Sequence, residues 1–92
     1  MGQKRKHIPN LLWKHRKLKR FSQKFIKRKL KLNSVSVISR WEKGEVMPSG
    51  DNLLKLCALY GKDVHDLYPE VFIEAQEEFD VHDREKLSNK PP

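Results

Sequence analysis

Val35, Ser36, Ser39 and Arg40 are the residues of this chain whose types and spacing could read a nucleic-acid base. On a 3.6-residue period they fall on one side of a cylinder. Arginine presents two donors that fit guanine O6 and N7, and a serine hydroxyl donates or accepts at either kind of edge. A valine open to water is odd on a solvent face but suits a thymine methyl. Lys24, Lys27, Arg28 and Lys43 are candidates for phosphate contact. Gln23 joins them because it stands near a helix start, where backbone N–H groups meet anions. Lys4, Arg5 and Lys6 form a basic arm suited to a minor groove or to phosphates.

All of this requires Ser34–Lys43 to be a helix. The stretch opens as Ser-Val-Ser-Val, an alternation that reads as a strand, and Ile-Ser-Arg-Trp-Glu then breaks the period. A strand would put Ser34, Ser36, Ile38 and Arg40 on one side, an incoherent mixture. A helix capped by Ser34 puts Val37, Ile38 and Trp41 on one face. Ser36, Ser39, Arg40 and Lys43 then take the other, with Val35 beside them. Gly44 closes it as the residue past the C-cap. The helix sorts apolar from polar and the strand does not.

Other elements must hold that helix in place. A first helix is expected over Pro9–Lys19, with proline in its first turn. Ser22 caps a second, with Phe21 stapled onto Ile26 and with Ile26 and Leu30 buried. Ser49 caps a fourth helix with apolar residues at 53, 56, 57 and 60, closed by Gly61. Asp63 caps a short fifth, with Asp66 three residues on. Trp13 and Trp41 are both expected in the core. The reading is an all-α, compact five-helix domain: a basic arm over 1–8, a helix-turn-helix domain over 9–68, and an acidic tail over 69–92. The tail is expected to be helical at first, with Val71, Phe72, Ala75 and Phe79 on one side covering the core or forming a homodimer contact. From residue 80 it is expected to be disordered.

Charge points the same way. Residues 1–44 hold 15 Lys/Arg and one acid, Glu42, whereas residues 45–92 hold 5 Lys/Arg and 11 acids. A basic half joined to an acidic half turns one surface toward a polyanion, with nucleic acid ahead of anionic lipid. No apolar run reaches the roughly 18 residues of a membrane span, and no apolar segment follows the basic start as a secretory signal would require. The single cysteine, Cys57, forbids an intrachain disulfide and fits a reducing cytoplasm. The histidines at 7, 15, 65 and 82 show no ligand spacing with it, so neither metal nor other cofactor is expected. No phosphate loop, acid pair or activated nucleophile is visible, so the chain is not expected to be an enzyme.

With these residues in view, the chain resembles the lambda-repressor-like, Xre-type helix-turn-helix domains of bacterial and phage regulators. The resemblance runs from about Leu11 to Tyr68. It is carried by Arg16, Ser22 and Gln23, by Ser34 with "ISRWEKG" (Ile38 to Gly44), by Pro48 and Ser49, and by "NLLKLCALYGKDVHDLY". It implies sequence-specific duplex DNA binding with the helix Ser34–Lys43 in the major groove. It also implies transcriptional control, repression more often than activation, and a structural ion pair between Arg16 and Glu42. At 92 residues the chain is expected to carry no separate sensor domain and to act by occupying DNA. The chain departs from the pattern in its turn. Lys27 stands where alanine is common, "KLKLNS" lacks the usual glycine, and the turn is one residue longer. Leu32 is expected to supply the apolar contact in place of Asn33, and Asn33 to take the left-handed conformation. Two other readings are an antitoxin or adaptor whose acidic C-terminal half grips a basic protein, and RNA binding through the basic face.

Overall fold

The computed structural model describes residues 7–88, with side chains through Asp80. Among these residues it is wholly helical, in the order α1 (Leu12–Leu18), α2 (Gln23–Leu30), α3 (Val35–Glu42), α4 (Gly50–Tyr60), α5 (Val64–Leu67) and α6 (Pro69–Ser88).

Each start has a local cause. Ser22 Oγ accepts from the Phe25 N–H at 3.0 Å, Ser34 Oγ from the Ser36 N–H at 3.0 Å, and Ser49 Oγ from the Asn52 N–H at 3.3 Å. At α5 the Asp63 N–H donates to Asp66 Oδ2 at 3.0 Å. That bond holds the Asp66 carboxyl below its usual range. The first helix begins later than Pro9. Asn10 Oδ1 accepts from the Leu12 N–H at 3.0 Å, and the Leu11 N–H donates to the Leu67 carbonyl at 2.8 Å. The Asn10 side chain thus satisfies the first helical N–H from one residue before the N-cap Leu11, and Pro9 lies in the approach to the helix.

The ends share one device. After α1, α2, α3 and α4 the chain turns through a left-handed residue: Arg20, Lys31, Gly44 and Gly61. Past α2 the Lys31 N–H donates to Arg28 O at 3.3 Å and the Leu32 N–H to Lys27 O at 2.9 Å. This pair of backward bonds ends a helix while satisfying its last carbonyls. The left-handed residue of the turn is therefore Lys31 (φ 58°), not Asn33, because the motif fixes it at the first position past the helix. Leu32 then turns inward against the core, as expected in place of Asn33.

The core gathers Leu12, Ile26, Leu30, Ile38, Trp41, Leu56, Tyr60, Leu67 and Tyr68. Full burial of an aliphatic side chain such as Ile26 or Leu56 stabilises by about 1.5–3 kcal/mol. Phe21 lies against Phe25, with ring centres 4.6 Å apart, and its ring stacks toward Tyr60. Trp13 departs from expectation: it is 56% exposed, with Lys17 Nζ 5.7 Å from its ring centre. Leu12 and Arg16, four apart, set the buried line of α1, and Trp13 stands about 100° from Leu12.

A sixth helix continues past residue 80, where the tail is expected to lose structure; residues 89–92 of that expectation lie outside the described residues. Pro69 opens it, and it runs through Ser88. No helix among the described residues is long and apolar enough to cross a membrane.

Candidate nucleic-acid interface

The helix α3 is the centre of the site. Ile38 and Trp41 sink into the core and Val37 is half-buried. On the other side Val35, Ser36 and Arg40 are exposed and Ser39 is half-buried. Ser36 Oγ lies 2.8 Å from Ser34 Oγ, which steadies the first turn. Arg40 Nε lies 3.7 Å from Glu45 Oε1, with both side chains more than half exposed. Glu45 was not singled out from the sequence. It comes next to Arg40 because Gly44 (φ 77°) reverses the chain, and the Glu45 N–H then donates to Arg40 O at 2.9 Å.

Three helices are tied together behind this face. Arg16 Nε donates to Glu42 Oε2 at 2.6 Å and its Nη2 to Glu42 Oε1 at 3.1 Å. Arg16 Nη1 donates to the Phe21 carbonyl at 2.9 Å. Arg16 is 7% exposed, and the bond to Glu42 raises the pKa of its guanidinium. Gln23 Nε2 also donates to Glu42 Oε1, at 3.0 Å. One of the two amide hydrogens of Gln23 is therefore used in the network.

The phosphate candidates are spread over several turns. Lys24, Arg28 and Lys43 are exposed and Lys27 is half-buried. Arg28 lies over the Phe25 ring at 5.4 Å. Lys4, Arg5 and Lys6 lie outside the described residues. The segment that leads to them is fixed, since the Ile8 N–H donates to Gly44 O at 2.8 Å. Asn10 Nδ2 reaches the Trp41 carbonyl at 3.2 Å, at the C-terminal end of α3. The segment Ile8–Asn10 thus lies against the C-terminal end of α3.

One further grouping lies within four consecutive residues at the start of α5. Asp63, His65 and Asp66 bring ligand atoms within 4.8 Å of one another at the surface. Asp66 there serves the start of α5, as described above, and the cluster has the makeup of an exposed acidic cap.

Comparison with known proteins follows the same outline. Searches of curated proteins and of solved structures gave no match. A family model described as helix-turn-helix matches residues 14–67, from within α1 to the last residue of α5. That span exceeds half the chain and holds the Arg16–Glu42 pair and all of α3, so the protein belongs to the lambda-repressor-like, Xre-type helix-turn-helix family of DNA-binding domains.

Proposed function

We propose that this protein binds duplex DNA sequence-specifically through α3 in the major groove and regulates transcription, as a repressor rather than an activator. In this reading Arg40 reads a guanine, Ser36 and Ser39 contact base edges, and Val35 meets a thymine methyl. Lys24, Lys27, Arg28 and Lys43, with the start of α2, hold the phosphates, and the arm of Lys4, Arg5 and Lys6 adds further contacts. The observation that carries the reading is the outward face of α3. It is made of small groups and one guanidinium, and it belongs to a helix whose other face is sunk in the core. The basic half of the sequence supports the same assignment. If two copies bind together, half-sites should lie about 10 bp apart, one turn of the duplex.

Selection of bound fragments from random duplexes tests this directly. One enriched sequence is expected. On it, Arg40→Ala should cost about 1–3 kcal/mol, with the loss concentrated at one base position, while Lys27→Ala weakens all sequences and lowers the salt slope by about one. Equal losses on enriched and random duplexes would remove the base-reading role of Arg40. Failure of any sequence to enrich would remove sequence-specific binding.

A further inference from the structure

After α1 the chain turns through Arg20 at a φ of 62°. The bonding of the turn demands that conformation: the Arg20 N–H donates to Lys17 O at 2.9 Å and the Phe21 N–H to Arg16 O at 3.1 Å. Glycine adopts it freely, and the chain places glycine at the left-handed positions after α3 and α4. For an arginine the same φ crowds its Cβ against the following carbonyl. The fold gains nothing from the side chain in return. It is exposed, and among the described residues it makes no hydrogen bond or ion pair. A strained residue that serves nothing inside the fold points to a use outside it.

Lys17 stands beside it. It is exposed, its Nζ lies 5.7 Å from the Trp13 ring centre, and it meets no carboxylate among the described residues. Lys17 and Arg20, with Arg16, Phe21, Ser22 and Gln23, line an open hollow of about 580 Å³ between the end of α1 and the start of α2. None of the six is an acid. Arg16 is already neutralised by Glu42. The charges of Lys17 and Arg20 are left without a counter-charge, and the hollow adjoins α2, where the proposed phosphate contacts begin.

We propose that Lys17 and Arg20 hold a backbone phosphate of the duplex in this hollow, so that the contact surface extends from α2 onto the end of α1, and that Arg20 occupies its left-handed position for this contact although glycine would make the fold more stable. A guanidinium suits the role because two of its N–H groups meet two phosphate oxygens at once. The inference rests on the DNA-binding reading but on no base contact, since a phosphate contact carries no sequence information.

The test sets stability against affinity. Arg20→Gly removes the strain and the guanidinium together. Its melting temperature should rise by about 4–8 °C. Its Kd for a labelled random-sequence duplex, read by fluorescence anisotropy of the full chain, should rise by about three- to tenfold at roughly 50 mM salt. The slope of log affinity against log salt should become shallower by about one. Arg20→Lys keeps a charge in place and should retain most of the affinity and the slope, without the gain in melting temperature. Lys17→Ala should lose affinity and slope in the same way with a nearly unchanged melt. Lys55→Gln, on α4 outside the hollow, should change neither affinity nor slope. An Arg20→Gly chain that binds as tightly as the natural one, or that melts lower, would overturn the proposal. So would an equal loss for Lys55→Gln, the mark of bulk charge alone. If Lys27→Ala weakens binding and Arg20→Gly and Lys17→Ala do not, this proposal falls and the DNA-binding reading stands; if the natural chain binds no duplex, both fall.

Discussion

Arg16 on α1 and Glu42, the last residue of α3, meet through two parallel hydrogen bonds of 2.6 and 3.1 Å. Both side chains are less than a tenth exposed. The pair fixes the far end of α3 against α1, and Gln23 extends the link to α2. A buried charge left without its partner is costly, whereas the intact pair contributes little net. Glu42→Ala is therefore expected to lower stability by about 3–5 kcal/mol, because it strands the Arg16 guanidinium. Replacing both residues with apolar ones of similar volume should lose much less. Chemical denaturation of the three chains checks the order, and a single substitution as mild as the double would refute the stranded-charge account.

Gly44 makes the second structural demand. A Cβ at this position would lie 2.4 Å from the Ile8 carbonyl oxygen and 2.7 Å from the Ile8 nitrogen. Its φ of 77° already disfavours any other residue. Gly44→Ala should thus destabilise by about 2–4 kcal/mol and loosen the Ile8 segment packed against it. Lys31 presents the opposite case, since a lysine holds a left-handed φ of 58° at an exposed site. Lys31→Gly is expected to stabilise by about 1 kcal/mol, a rise in melting temperature of about 4–8 °C. Thermal melts of the two variants should move in opposite directions.

These positions mark how far the sequence could be read. The caps at Ser22, Ser34 and Ser49 and the breaks at Gly44 and Gly61 were legible because each is a local device with its own residue type. The sorting of α3 was legible for the same reason: period alone separates Ile38 and Trp41 from Ser36 and Arg40. Trp13 was misread because its side of α1 depends on where that helix packs, which spacing does not fix. The left-handed residue was placed on Asn33 by residue preference, while the bonding pattern past Leu30 selected Lys31. The attachment of Gln23 to Glu42 and the approach of Glu45 to Arg40 are tertiary contacts with no local signature. Helix α6 runs to Ser88 although the acidic composition past residue 69 favours a loose tail.

Glu45 gives a third expectation, which rests on the DNA-binding reading. Its pair with Arg40 at 3.7 Å is exposed and contributes little to stability. Beside a duplex, the same carboxylate repels phosphates and holds back the guanidinium. Glu45→Gln should leave the melting temperature nearly unchanged and tighten binding to random duplexes several-fold at low salt, with the gain shrinking as ionic strength rises. Fluorescence anisotropy at two salt concentrations measures both effects. Weaker binding by Glu45→Gln would mean instead that the carboxylate orients Arg40 productively.

Tyr68 carries the last expectation. It is 1% exposed, and its hydroxyl has no hydrogen-bond partner among the described residues. A buried hydroxyl without a partner costs about 1–3 kcal/mol, so Tyr68→Phe should raise stability at neutral pH by about 1 kcal/mol. Burial also pushes the phenol pKa from 10.0 up to about 12. The folded state therefore holds this proton more tightly than the unfolded state does. The associated stability is fully present below pH 10 and is lost as pH climbs from 10 toward 12. Tyr60, also buried, has its pKa raised in the same direction and adds to the loss. Denaturation midpoints from pH 8 to pH 11.5 should fall more steeply for the natural chain than for Tyr68→Phe, so the two curves diverge with rising pH. A variant that is less stable at neutral pH, or that runs parallel to the natural chain through the alkaline range, would show that the hydroxyl is satisfied and its burial relieved in solution.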